Sequence, residues 1–213
     1  FSMGCQLVIL GCNTASAKAL RTIQQTDLPE LDSRRRVLGV IRPTAEIIGK
    51  LTDSRHVGIL ATEGTVKSES YNMEINKLWP DIEVTGVACP LWVPIIENNE
   101  ANGPGADYFV KKRIDHILSL DPRIDTIILG CTHYPILIPK IKQYVPEGIR
   151  IISQGKYVAE SLKDYLNRHA DMDERCTKGG SARYFTTENE EKFKENARIF
   201  LPEGIEVSHL SLE

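Results

Sequence analysis

The segments LVILGCNTAS (residues 7–16) and TIILGCTHYP (residues 126–135) share the tetrapeptide ILGC. In each, an apolar run ends in Gly-Cys, and small hydroxyl or amide residues follow. A short continuous apolar run closed by glycine reads as a strand buried on both faces, and the polar residues after it as the opening of a helix. Cys12 and Cys131 therefore each stand at the carboxyl end of a strand, on a strand-to-helix turn. That corner, met twice, sets the expectation for the rest of the chain.

Outward from these turns, β-like runs alternate with amphipathic segments. Strands are expected near residues 6–10, 37–41, 56–61, 82–87, 126–129, 149–152, 183–185 and 205–209. Most are unbroken Val/Ile/Leu runs and not alternations of apolar and polar residues, the mark of a parallel sheet covered on both sides. DYFVKKRIDHILSL (107–120) and residues 157–166 have helical periodicity, and TENE (187–190) fits a capping box opening a helix that ends near Phe200. The pattern predicts an α/β fold of open, doubly wound sheets. ENNEANGPGA (97–106) is expected to be a polar surface connection. Its glycines lack the spacing and the preceding strand of a dinucleotide loop, and no P-loop lysine motif occurs in the chain.

At 213 residues there is room for one large or two small domains with a true core. The net charge of −3 leaves no basic footprint for nucleic acid. No apolar stretch approaches the roughly 18 residues of a membrane helix, and no signal-peptide pattern precedes the first strand, so a cytoplasmic protein is expected. The five cysteines (Cys5, Cys12, Cys89, Cys131, Cys176) form no CxxC pair, which argues against a disulfide framework or a zinc ribbon. Free thiols are expected.

In open α/β sheets, ligands bind at the carboxyl ends of the strands. A helix opening there offers unpaired N–H groups and the positive end of its dipole, which can hold a carboxylate. A thiol in that position is expected to have its pKa drawn down from about 8.5 toward neutrality. Asn13 and Thr14 after the first cysteine, and Thr132 and His133 after the second, are short and polar enough to touch a small zwitterion. One Gly-Cys turn is most often structural; two identical copies with polar followers point to shared chemistry. A nucleophile–histidine pair would need a single cysteine. Two thiols suit either reversible disulfide chemistry or proton transfer to both faces of one carbon, for which tuned thiols are competent acids and bases.

GCNTAS (11–16) and GCTHYP (130–135) resemble the paired signatures of the glutamate racemases, in the cofactor-independent aspartate/glutamate racemase superfamily. VLGVIRPTAE (37–46), VGILATEGTVKSESY (57–71) and VACPLWVPIIEN (87–98) match in the family's order, as do YVAESL (157–162) and Phe185-Thr186-Thr187. The resemblance covers essentially the whole chain. It implies two pseudo-symmetric three-layer α/β/α domains with mainly parallel sheets and a substrate cleft between them. It implies interconversion of L- and D-glutamate without pyridoxal phosphate or metal, supplying D-glutamate for peptidoglycan. Cys12 would serve the D-glutamate face and Cys131 the L-glutamate face. Asn13, Thr14, Thr132 and His133 would contact substrate, with His133 also assisting Cys131. Thr62 and Thr65 correspond to threonines near the substrate carboxylates, and Glu97 would support the Cys131 side. A homodimer, and a cell-wall precursor as activator, are further implications.

Two departures qualify the resemblance. The family opens with a strand and an Asp-Ser-Gly loop, followed by a Tyr-Gly turn, which bind the amino group and help activate the first cysteine; neither motif occurs here. About the first quarter of a typical member is expected to lie upstream. Ser153-Gln154-Gly155 also stands where many members carry Asp-Ser. The resemblance sets the first domain at residues 1–43 plus 153–213, incomplete at its start, and the second at 44–152. Rival readings are a related aspartate or hydantoin racemase, a maleate isomerase, a non-catalytic binding remnant and, more distantly, a thiol-redox protein.

Overall fold

Described here is a computed structural model covering residues 1–201 and 204–211. By internal contacts the chain forms two compact units, residues 1–176 and 177–213.

The larger unit holds two parallel sheets. In the first, β1 (Leu7–Leu10) pairs with β2 (Arg36–Gly39), with Val8 opposite Val37 and Leu10 opposite Gly39. The crossover between them is helical, beginning with Asn13–Lys18 and continuing through the short segments Leu20–Thr22, Ile23–Asp27 and Leu28–Leu31. The second sheet has strand order β4-β3-β5-β6, with β3 (His56–Ala61) and β5 (Thr126–Gly130) in the middle, and β4 (Glu83–Ala88) and β6 (Arg150–Ser153) at the edges. All five residues of β5 are buried; Ile127, Ile128 and Leu129 are apolar, and Thr126 Oγ1 donates to Leu51 O at 3.2 Å.

Alternate residues of the central strands enter different cores. Leu60, Ile127 and Leu129 join Val110, Ile114 and Ile117 of the helix Pro104–Leu120, together with Trp92 and Ile141. Ile59, Ala61 and Ile128 join Ala45 and Ile48 of the helix Ile41–Ile48, and Tyr71 and Ile75 of the helix Ser70–Leu78. The sheet is thus sandwiched between helices, and each fully buried Ile or Leu contributes about 1.5–3 kcal/mol. Ala17 and Tyr157 pack at the edge of the second core, bringing in the helices that follow β1 and β6.

The amino ends of the strands are fastened by side chains. Asp125, just before β5, accepts from Thr52 Oγ1 at 2.7 Å and from the Asp53 and Ser54 N–H groups at 2.7 and 2.6 Å. Burial alone would raise the Asp125 pKa, but these donors outweigh it and hold the carboxyl down at about 2. His56 Nδ1 and Asp121 Oδ2 pair at 2.7 Å beside it. The opposite ends of the strands are left for chemistry.

The eight expected strands are all present, shifted by at most two residues at either end. The long helix starts at Pro104, with Pro in the first turn where its missing N–H costs nothing. Residues 97–106 are therefore not one loop. Glu97 closes the helix Trp92–Glu97, and Ala101 and Ala106 are buried.

The smaller unit pairs β7 (Tyr184–Thr186) in parallel with β8 (Val207–His209) around the helix Glu190–Ala197. The capping box expected at 187–190 does not form. Thr186 Oγ1 accepts from the Glu188 N–H at 3.1 Å, which spends this stretch on a turn, and Asn189 caps the helix by accepting from the Lys192 N–H at 3.0 Å. Residues 202–203 and 212–213 lie outside the described structure, so only part of the connection into β8 is described.

Candidate active site

Cys12 follows β1 in extended conformation, with φ −107° and ψ 128°, and is exposed. Its carbonyl accepts the Ser16 N–H at 2.9 Å, and Ser16 Oγ donates back to Leu10 O at 2.8 Å, so the turn is closed onto its own strand. Asn13 is only 2% exposed, and its side-chain amide is committed to the protein. Its Nδ2 donates to Gln154 Oε1 at 2.8 Å, and its Oδ1 accepts from the Tyr71 hydroxyl at 2.7 Å. What Asn13 can still offer a ligand is its backbone N–H, which at the first helical position has no partner within the helix.

Cys131 follows β5 and is 8% exposed. Its Sγ lies 4.0 Å from His133 Nδ1, and His133 Nε2 lies 3.0 Å from Glu97 Oε1. The three side chains form a relay from a buried thiol to a carboxylate near the surface. Burial pushes the Cys131 thiol up, while the backbone N–H groups of His133 and Tyr134 oppose this, and charge on Cys12 and Glu97 adds to the rise. The lowered pKa expected for a thiol at this turn is therefore overturned for Cys131: desolvation outweighs the N–H groups. Trp92 packs edge-on against Tyr134 at 4.8 Å, and the Tyr134 hydroxyl donates to Cys89 O, forming a wall behind the thiol. Burial likewise pushes the Cys89 thiol far up.

Three threonine hydroxyls join the turns. Thr14 Oγ1 lies 2.7 Å from Thr62 Oγ1 and 3.1 Å from Thr65 Oγ1, and the latter two are 3.1 Å apart. Thr62 also caps the helix Glu63–Lys67 after β3. Residues following β1 and β3 thus meet through hydroxyls able to donate or accept. Thr132 is exposed beside Cys131.

The sequence-named residues fall into two groups in contact, Thr14 with Thr62 and Thr65, and Cys131 with His133 and Glu97. Tyr71 and Gln154, which hold Asn13, were not singled out as functional. Gln154 does carry one available signal, since it directly follows a strand's carboxyl end. A cavity of about 820 Å³ lies elsewhere, lined by Ile9, Leu20, Leu38, Val158 and Tyr165 among others, and neither Cys12 nor Cys131 lines it. Among the described residues no three His, Cys, Asp or Glu side chains gather as a metal site would require, and no helix is long and apolar enough to cross a membrane.

Residues 2–162 match the Asp/Glu/Hydantoin racemase family. The chain belongs to this family. It is an isomerase of the racemase class. A glutamate racemase of Streptococcus pyogenes is 36% identical over 208 residues, covering 97% of this chain and 75% of that protein. The chain thus spans three quarters of that relative's length. A glutamate racemase isoform from Bacillus anthracis superposes with a TM-score of 0.84 at 30% identity, covering 97% of this chain and 74% of that one. Glutamate racemase from Francisella tularensis, solved with D-glutamate, gives a TM-score of 0.84 at 27% identity, covering all of this chain and 76% of that one. The Escherichia coli glutamate racemase, in complex with L-glutamate and the activator UDP-MurNAc-ala, gives 0.66 at 25%, covering 96% of this chain and 73% of that one. These likenesses, with parallel sheets flanked by helices, bear out the α/β class expected from sequence.

Proposed function

We propose that the chain racemises glutamate by passing protons between two thiols, with no cofactor. In the L-to-D direction the Cys131 thiolate takes the Cα proton, the electron pair remains in the planar carbanion, and the Cys12 thiol protonates the opposite face. The reverse direction exchanges the two roles. The relay from Cys131 to Glu97 carries this reading. A buried thiol that holds its proton is a ready acid, but it needs help to become a base. His133 Nδ1 is placed to receive that proton, and the Glu97 carboxylate stabilises the resulting imidazolium. The hydroxyls of Thr14, Thr62 and Thr65, with Thr132 and the Asn13 backbone, would bind the substrate carboxylates.

Glutamate is favoured over other substrates of the family by the names of the similar proteins. The family resemblance implies supply of D-glutamate for peptidoglycan in the cytoplasm and a homodimer, and the Escherichia coli complex supports a cell-wall precursor such as UDP-MurNAc-ala as activator. The family resemblance also implies a first catalytic domain of residues 1–43 plus 153–213 and a second of 44–152, each bearing one cysteine turn. The test is incubation with D-glutamate in deuterium oxide without added cofactor, following optical rotation and the Cα–H signal. Rotation falling to zero with deuterium entering Cα is expected. Glutamate bound without exchange would overturn the catalytic reading in favour of a binding module, and exchange of aspartate alone would reassign the substrate.

A further inference from the structure

Tyr71 is 2% exposed and touches both cysteine turns. At one end its hydroxyl donates to Asn13 Oδ1 at 2.7 Å, one residue from Cys12, and accepts from Gln154 Nε2 at 2.6 Å. Asn13 Nδ2 donates to Gln154 Oε1 at 2.8 Å, which closes a ring of three side chains. Gln154 Nε2 also approaches Val40 O at 3.0 Å and Thr44 Oγ1 at 3.2 Å. Beside the tyrosine hydroxyl the ring edge lies against Gly130, one residue from Cys131, where an added Cβ would sit 3.2 Å from Tyr71 Cε2. A single rigid side chain therefore spans the neighbours of the two thiols. Gln154, at the end of β6, ties that span to the end of β2.

We infer that Tyr71 and Gln154 are positioning residues that fix the separation of the two cysteine turns, so that a carbanion formed at one thiol is protonated at the other. Resting on the two-thiol reading above, this deepens it by naming what holds the geometry. All four polar atoms of the two amides are engaged within the ring, so Asn13 cannot turn its side chain to the substrate without breaking the ring. The ring acts on Cys12 through the backbone that Asn13 anchors. Tyr71 acts on Cys131 by packing against Gly130. A loosened strut lets the carbanion be reprotonated from the side that lost the proton, giving exchange with retention in place of inversion.

The test uses the full chain as wild type, Tyr71→Phe, Gln154→Met and the double variant, each given D-glutamate in deuterium oxide. Initial rates of Cα deuteration are read separately for the retained and the inverted enantiomer. Since a misplacement of about 1 Å costs on the order of 100-fold, inversion is expected to fall by roughly that factor while exchange with retention falls far less. The double variant should match the worse single, because the ring works as a unit. An unchanged ratio of the two rates, whether or not both fall, would overturn the inference. Should wild type neither exchange nor invert glutamate, the glutamate reading fails, and the spacing is read without turnover. Cys5→Ser, Cys176→Ser protein is treated with bifunctional thiol reagents of graded length. Cross-linking of Cys12 to Cys131 by one narrow range of lengths, broadened by Tyr71→Phe, upholds the strut. Identical length profiles overturn it.

Discussion

Glu97 Oε1 lies 3.0 Å from His133 Nε2, on the nitrogen opposite the one that faces Cys131 Sγ. The carboxylate has two electrostatic consequences with opposite effects. Its charge raises the Cys131 pKa directly, and through His133 it stabilises the imidazolium that must form when the thiol ionises. Glu97→Gln removes both. These two losses oppose each other in the alkylation midpoint of Cys131, so the relay is read from turnover: racemisation should slow by about tenfold, a modest share of what general acid–base groups supply. Because enantiomers have equal free energy, kcat/KM must fall by the same factor from L- and D-glutamate. An undiminished racemisation rate in Glu97→Gln would remove Glu97 from the relay.

Cys131→Ser tests the thiol itself. A serine hydroxyl fills nearly the same space but does not ionise near neutral pH, so racemisation should fall on the order of 10³-fold or more. Glutamate binding should stay within about tenfold, or roughly 1.4 kcal/mol, because the threonine hydroxyls of the proposed carboxylate site are untouched. Calorimetric titration beside the deuterium-exchange assay separates the two effects. Full activity in the serine variant would end the two-thiol mechanism.

At the opposite end of the strands, Asp125 should govern acid stability and nothing else. Its pKa is about 2 in the folded protein against an ordinary 3.8. A depressed folded pKa contributes stability that is fully present above the unfolded value and is lost as pH falls from about 4 through 2. Asp125→Asn should therefore cost about 1–2 kcal/mol at pH 7, solvent screening removing part of what the full shift would give. The gap from wild type should close as the pH approaches 2. Urea melts at pH 7, 4 and 2.5 measure it, and a gap that widened on acidification would contradict the assignment.

How far sequence carried the reading differs from residue to residue. β5 was legible because Ile127, Ile128 and Leu129 form a continuous apolar run, the pattern of a strand covered on both faces. The two cysteine turns were legible because strand ends in parallel sheets are where chemistry collects. The Cys131 pKa was misjudged because a strand-end position predicts N–H groups nearby but not the wall of Trp92 and Tyr134 that dehydrates the thiol. The helix near residue 190 was placed two residues early because Thr187 and Asn189 are both good caps, and only the bond from the Glu188 N–H to Thr186 decides between them. The ring of Tyr71, Asn13 and Gln154 joins residues 58 and 141 apart in sequence. Long-range pairing of that kind leaves no periodicity to read.

The repeated tetrapeptide yields the last prediction, because its two glycines are present for different reasons. At Gly130 an added Cβ would lie 3.0 Å from Ala61 Cβ, 3.2 Å from Tyr71 Cε2 and 3.4 Å from Leu60 O. Each neighbour sits in a buried sheet or helix and has little room to yield. At Gly11 nothing lies within 4 Å and the backbone is not left-handed. Gly130→Ala should destabilise the protein by about 1–3 kcal/mol through overpacking, lowering Tm by roughly 2–4 °C for each kcal/mol in a chain of this size. By pushing Tyr71 away, it should also raise exchange with retention relative to inversion, as Tyr71→Phe does. Gly11→Ala should leave Tm within about 2 °C, since surface substitutions away from special geometry are usually worth under about 0.5 kcal/mol. Paired thermal melts of the two variants decide the matter, and equal losses would mean that the two corners are under the same packing constraint after all.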